Sequence, residues 1–341
     1  MFQSYESVDE NIVKALPSLV ERLGGDPAAL LQHVGLSLNG FASGEDRPDY
    51  RQAIELVGMA AAELDCDHFG MQLAQAQAGT IRSPLVRVIE SATTLGEALR
   101  LICAHSYAHS PAVAIWLEED RWNHTVAYGL DILLDDLPNR SQAMEHVLLI
   151  AYRTLQQAMG AMLRAKFVTF RHEPISPPAL YRRFFGCDVL FGQSADAIIL
   201  SASDLDRRIV HRGDEDVQAV LQAVQQRLSP QETPVHAKVR GFVMNRIGSE
   251  RCGIEDAAFS IGCSTKKLSR MLASEGTSFQ QIKNKVRVEV VRYYIEETCL
   301  DFTAISERAG FSEQSALSHF CRKWMKACPS QMRSAARRHA H

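Results

Sequence analysis

Along the N-terminal two-thirds of the chain, apolar residues recur with two different periods. Residues 8–23 and 83–107 carry Val, Leu, Ile and Ala at helical spacing, and Ser141–Leu163 sustains that spacing over one long segment. In it Ala143, Val147, Ile150, Ala151, Leu155, Ala158 and Met162 fall on one broad face, which can serve as core, as a dimer seam, or as both. Strand-like pieces lie between the helices: Ala112–Leu117, Trp122–Asp131, Lys166–Phe170 and Ala197–Ser201. Lys166–Phe170 alternates apolar and polar positions, the period of a pleated strand with one buried face. The mixture predicts an α+β domain over residues 1–210, followed by a helix over Asp216–Leu228.

Beyond this helix the pattern changes. Ser229-Pro230-Gln231-Glu232-Thr233-Pro234 places two prolines among small and polar residues, which stops a helix and marks a linker over 229–234. No strand pattern follows. Residues 235–341 break into short amphipathic helices at 235–247, 254–259, 264–272, 278–297, 302–308, 312–325 and 329–338, an all-α domain large enough to fold alone.

Charge divides at the same place. Residues 235–341 hold 18 Lys+Arg against 10 Asp+Glu, a net of +8, within a chain whose total is −3. The remaining residues therefore carry −11. A basic third on an acidic body points to an anionic partner for that third. No run is long and apolar enough to span a membrane, and MFQSYESVDE lacks the basic start and apolar stretch of a signal peptide. The 8 cysteines form no CxxC pair and read as reduced thiols.

Two pieces of the basic third repeat one arrangement. Ile254–Ala258 forms a short helix, Ser260-Ile261-Gly262-Cys263 a turn, and Ser264 can cap a second helix over Thr265–Leu272. Phe302–Arg308, the turn Ala309-Gly310-Phe311, and a Ser312-capped helix over Glu313–Met325 repeat it. Helix, glycine-containing turn and capped helix is the form of a helix-turn-helix. In the first unit Leu268, Met271 and Leu272 share one face, leaving Lys266, Lys267, Ser269 and Arg270 outward. In the second, Leu317, Phe320, Cys321 and Trp324 are expected in the core, leaving Gln314, Ser315, Ser318, His319 and Arg322 outward. Such side chains can hydrogen-bond base edges in the major groove. The helix between the units, Ser278–Thr298, is about 30 Å long at 1.5 Å per residue. Successive major-groove faces on one side of B-DNA lie ~34 Å apart, so one chain could read two half-sites.

From Ile254 to Arg333 the chain resembles the DNA-binding domain of the AraC/XylS family of bacterial regulators. GFSEQSALSHFCRKWMKACPSQMR is similar to that family's C-terminal motif, and GCSTKKLSRMLASEGTSFQQIKNKVR to its first unit. The resemblance implies DNA contact by Lys266, Ser269 and Arg270, and by Gln314, Ser315, Ser318 and His319. Four positions depart from the family's usual residues: Cys321 stands for Phe, Lys326 for Gly, Val291 for Ala and His319 for a frequent Arg. The segments DHFGMQLA, TTLGEALRLI and RHEPISPPALYRRFFGCDVLFGQSADAIILSASDL resemble the arabinose-binding-type or ornithine-regulator-type regulatory domain of one branch, whose sensed compounds include amino acids.

The expected molecule is thus a sequence-specific transcriptional regulator of the bacterial cytoplasm, on the nucleoid when bound. Residues 1–228 form its regulatory and dimerisation domain and 235–341 its double helix-turn-helix domain. The partners implied are double-stranded promoter DNA, a second copy of the chain, RNA polymerase and a small-molecule effector. Trp116, Trp122, Tyr128 and Phe170 are the candidate lining of an effector pocket. No cofactor is expected. His105 and His109 sit one helical turn apart but lack a third ligand, and Cys66-Asp67-His68 reads as a turn with a helix cap, so no metal site is expected. No P-loop, GxGxxG, GxSxG or HExxH occurs to support an enzyme. The rival reading is a ligand- or partner-binding protein whose helical domain has lost specific DNA readout.

Overall fold

The computed structural model describes residues 8, 12–79, 83–106, 109–134, 137, 140–160, 163–210, 217–227, 234–249, 251–298 and 300–339. It divides into two compact units, Met1–Thr233 and Pro234–His341. Among the described residues no helix is long and apolar enough to cross a membrane.

The N-terminal unit opens with five helices: α1 (Leu16–Arg22), α2 (Pro27–His33), α3 (Leu38–Ser43), α4 (Tyr50–Glu63) and α5 (Phe69–Gln77). Their starts are set by local chemistry. Asp26 accepts from the Ala28 N–H at 2.9 Å ahead of Pro27, and Asp49 and Gln52 cap α4 reciprocally. The helical stretch at 83–107 is two helices, α6 (Pro84–Ser91) and α7 (Leu95–Ala104). Ala92 turns extended, Thr94 caps α7 through the Glu97 N–H, and Glu97 reaches back to the Thr93 N–H at 2.7 Å. Local capping by Thr94 and Glu97 thus interrupts a continuous apolar pattern. Residue 107 lies outside the described residues.

Strands β1 (Val113–Asp120) and β2 (Thr125–Ile132) form a hairpin. Its turn contains Trp122, whose N–H bonds Asp120 Oδ1 at 3.0 Å, so the strand expected from Trp122 starts three residues later. Then follow α8 (Ser141–Met159), β3 (Phe167–Thr169), α9 (Pro178–Phe185), β4 (Asp188–Leu190), β5 (Ala197–Ser201) and α10 (Val217–Arg227). The sheet order is β1-β2-β5-β3-β4, antiparallel except for the parallel β3–β4 pair. Helix α8 ends at Gly160, whose φ of 72° stops it before Leu163, and Met162 lies outside the described residues.

The long helix α8 is core: every residue from Ser141 to Leu149 is buried. It meets α5 at Gly70, where a Cβ would come within 2.1 Å of the Gln142 carbonyl oxygen. Gln142 donates to the Asp67 carbonyl at 2.6 Å and accepts from the Gly70 N–H at 2.8 Å. Asp67 thus serves through its backbone carbonyl, and the His68 side chain makes no cap bond to the start of α5. Glu145 is buried on α8 with the Tyr181 hydroxyl donating to it at 2.6 Å. Burial pushes its carboxyl up to about 8, against the pull of that hydrogen bond.

Candidate nucleic-acid interface

The C-terminal unit contains α11 (Val235–Arg246), α12 (Ile254–Ile261), α13 (Thr265–Ser274), α14 (Phe279–Glu297), α15 (Phe302–Arg308), α16 (Gln314–Met325) and α17 (Pro329–His339). It has two small cores threaded on one helix. Phe279, Ile282 and Val286 of α14 join Val243, Leu268 and Leu272 in the first, and Val291, Tyr294 and Ile295 join Ile305, Leu317 and Cys321 in the second. Val290 packs against both. Helix α14, with 19 residues, is about 28 Å long at 1.5 Å per residue.

The α12–α13 and α15–α16 pairs turn in the same way. In the first, the Gly262 N–H bonds the Phe259 carbonyl at 3.1 Å and the Cys263 N–H that of Ala258 at 2.9 Å. In the second, the Gly310 N–H bonds Glu307 at 3.0 Å and the Phe311 N–H bonds Ser306 at 2.8 Å. Both glycines are left-handed, at φ 73° and 71°, which closes each first helix with its last carbonyls satisfied. They differ in surroundings. Gly262 has open space about its missing Cβ, whereas a Cβ on Gly310 would lie 2.1 Å from the Ile247 carbonyl oxygen.

Polar ties hold the assembly. Arg240 of α11 pairs bidentately with Glu289 of α14, and Lys283 donates to the Cys252 carbonyl at 2.6 Å. Arg287 donates to the Ala309 and Gly310 carbonyls at 3.0 and 3.2 Å and lies 4.7 Å over the Phe311 ring. Glu275, the residue that ends α13, accepts from the Val235 and His236 N–H groups at 2.8 and 2.7 Å. Burial would raise its carboxyl, but these N–H groups outweigh it and hold it below its ordinary value. Part of the positive charge counted in the sequence is therefore structural.

Several exposed polar and basic side chains stand on α13 and α16. Lys266, Lys267, Ser269 and Arg270 are exposed on α13, whose first turn is capped by Ser264 accepting from the Lys267 N–H at 3.3 Å. Gln314, Ser315, His319 and Arg322 are exposed on α16, and Ser318 is half-buried. Among the described residues no carboxylate pairs with Lys266, Lys267, Arg270 or Arg322. The second helix departs from expectation in three places. Its cap position is Glu313, without a side-chain cap bond, so Ser312 does not cap it. The Ser315 hydroxyl is already taken by the Glu313 carboxylate. Trp324 is 43% exposed beside Phe320, since the second core is filled by Leu317, Cys321 and Met332 without it. Glu313 was not singled out from sequence, although an acid beside a helix start is favoured by the helix dipole.

The comparisons follow this division. Residues 24–209 match the family described as the arabinose-binding domain of AraC transcription regulators, N-terminal, and residues 257–335 match a helix-turn-helix domain family. The chain belongs to the AraC family of transcription regulators. This AraC-family regulator is 27% identical over 317 residues to the HTH-type transcriptional regulator VirS of Mycobacterium tuberculosis, covering 93% of each chain. It is 26% identical over 225 residues to the Ornithine utilization regulator of Pseudomonas aeruginosa, covering 62% of this chain and 66% of that one. The crystal structure of the transcriptional regulator CdpR from Pseudomonas aeruginosa aligns with 93% of this chain and 97% of its own, at 18% identity and a TM-score of 0.43.

The four aromatic residues expected to line a pocket in the N-terminal unit do not converge. Trp122 is 94% exposed at the hairpin turn. Trp116 pairs with Gly129 across β1 and β2 and its ring covers that glycine, whereas Tyr128 pairs with Leu117 and so faces the opposite side of the pleat. Phe170 belongs to an aromatic cluster with His172, Phe185 and Phe191, at centroid distances of 4.8, 5.8 and 5.9 Å. Tyr128 alone of the four lines a recess between the sheet and α6, α7 and α8. Among the described residues no group of three or more His, Cys, Asp or Glu is placed to hold a metal ion.

Proposed function

We propose that this regulator reads specific promoter DNA with α13 and α16 in consecutive major grooves of one duplex face. The observation that carries the reading is the pair of like turns mounted on α14, whose length of about 28 Å compares with the ~34 Å between successive grooves. Lys266, Lys267 and Arg270 neutralise phosphate or reach guanine from the first unit, with Ser269 beside them. Gln314, Ser315, Ser318, His319 and Arg322 contact the second groove through mostly neutral groups. Residues 1–228 dimerise, doubling the half-sites read and raising apparent affinity through effective concentration. They also sense a small molecule, and the bound dimer meets RNA polymerase at the promoter, on the nucleoid in the bacterial cytoplasm.

Genomic-fragment selection with the full chain tests this. A selected fragment should bind at least about a thousandfold more tightly than scrambled duplex of equal length, with affinity falling steeply as salt rises. Equal affinity for both duplexes at every salt concentration contradicts specific readout and favours a helical domain that has lost it.

A further inference from the structure

The recess in the N-terminal unit has a composition that selects its occupant. Its walls are hydrocarbon: Ile89 of α6, Ile102 of α7, Ile115 of β1, Leu130 of β2, and Val147 and Leu155 of α8. The space is about 830 Å³ when the open solvent at its mouth is included, so the enclosed part is much smaller. Among the described residues no Lys, Arg, Asp or Glu lines it. A charged ligand group would therefore be desolvated there without a counter-ion, at a cost of several kcal/mol.

The polar groups in its wall are few, and most are already used. The Ser83 hydroxyl accepts from the Leu85 N–H at 3.2 Å, and Thr154 donates to the Ile150 carbonyl at 2.8 Å. His146 Nε2 lies 2.6 Å from Gln77 Oε1, and Gln77 donates in turn to the Ile12 carbonyl at 3.0 Å. Burial pushes His146 down to about 3, so its imidazole stays neutral and supplies no charge. His109 also lines the wall, its ring edge-on to that of Tyr50, and Tyr128 is the remaining polar side chain. It is 5% exposed and lines the recess, and no described residue hydrogen-bonds its hydroxyl. Burial raises its pKa, which keeps the proton on and the donor available.

We infer that the recess takes an uncharged, largely hydrocarbon molecule whose one hydroxyl or carbonyl oxygen bonds the Tyr128 hydroxyl. A sugar would leave most of its hydroxyls unpaired against isoleucine and leucine, and an amino acid would bury two charges. Neither suits this wall, whatever the resemblance of the domain suggests. The inference rests on the sensing role proposed above for this unit. It narrows that role to a ligand class.

The test uses the full chain and the neutral fluorescent dye N-phenyl-1-naphthylamine, displaced by competitors. 1-Decanol should displace the dye, decanoate at pH 8 should compete at least about tenfold more weakly, and a free pentose or amino acid should not compete. Tyr128→Phe should weaken 1-decanol about five- to tenfold, the loss of one hydrogen bond, and leave naphthalene unchanged. Ala151→Trp should fill the recess and abolish binding of all neutral probes while the circular dichroism spectrum stays as in the parent. Decanoate or a pentose competing as well as 1-decanol overturns the assignment, as does failure of every neutral probe to bind. Indifference of 1-decanol to both substitutions also overturns it. Operator affinity is measured separately with and without 1-decanol. If it is unmoved while the alcohol is bound at Tyr128, the ligand class stands and the sensing role fails.

Discussion

The α12–α13 and α15–α16 pairs share a backbone and differ in chemistry. Each first helix closes on a left-handed glycine with the same pair of hydrogen bonds, and each second helix buries a leucine on its core side. Yet α13 offers three unpaired cations within five residues, Lys266, Lys267 and Arg270. Helix α16 starts at an acid, Glu313, already bonded to Ser315, and carries Gln314, Ser318 and His319 before its first exposed cation, Arg322. The frame fixes where a recognition helix sits, and the exposed residues decide what it meets there. On the function proposed above, one repeated arrangement grips phosphate in one groove and discriminates bases in the next.

The two turns should differ most in how much stability they lose when their glycines are replaced. Gly310→Ala should cost about 2–5 kcal/mol, from a left-handed alanine plus a Cβ driven into the Ile247 carbonyl. Gly262→Ala meets open space and should cost only about 1–2 kcal/mol. Thermal or urea unfolding of both variants measures the gap, and equal losses would mean that the second turn is not clamped against α11.

Next in size are the exposed residues. Arg270→Ala should weaken the preferred site about 10- to 100-fold, and Lys267→Ala should lower the slope of log affinity against log salt by about one. Gln314→Ala should leave that slope unchanged and reduce the ratio of preferred to altered site instead. Anisotropy titrations over a salt series separate the two behaviours. Similar salt slopes for Lys267→Ala and Gln314→Ala would erase the division of labour.

A third effect lies outside the pair and sets its background. The folded-state value of about 8 for Glu145 lies above the ordinary 4.5, so between them the folded chain keeps a proton that the unfolded chain has lost. Its contribution is full below pH 4.5 and drains as pH rises towards 8. Glu145→Gln keeps an acceptor for Tyr181 and should flatten the fall in melting temperature across that window. An unchanged profile would mean that Glu145 is ionised in the folded chain.

The smallest effect is a gain. Lys326 ends α16 in the left-handed region at φ 58°, where the family often has glycine. Lys326→Gly should add about 1 kcal/mol by removing that strain, read as a rise in the unfolding midpoint. A fall would show that the bond from Lys326 Nζ to the Lys323 carbonyl outweighs the strain.

Legibility in the sequence followed the reach of the forces involved. Ser264, Gly262 and Gly310 act on their immediate neighbours, so both turns could be read from spacing. The break between α6 and α7 rests on a cap contributed by Thr94 and Glu97 inside an apolar run, and periodicity alone hid it. Strand β4 is three residues with alternating exposed and half-buried positions, held by its parallel partner β3 rather than by its own pattern. Trp324 sits on the apolar stripe of α16 but beyond the width of the core that Leu317 and Cys321 fill. For the candidate interface, the outward cations of α13 followed from helical geometry. The Glu313–Ser315 bond, which turns on one side-chain rotamer, did not. The recess was legible least of all. Aromatic residues drew attention to strands, while the wall is aliphatic and spread over three helices and two strands, which only the tertiary fold brings together.

On this proposal one chain reads two grooves with chemically different helices. Hydroxyl-radical footprinting on a selected site tests it most directly, comparing the parent with Arg270→Ala and Gln314→Ala. Two protected segments about one helical turn apart are expected for each protomer. Arg270→Ala should fade one segment and Gln314→Ala should alter base preference only in the other. A single protected segment, or both substitutions acting on the same one, would contradict it.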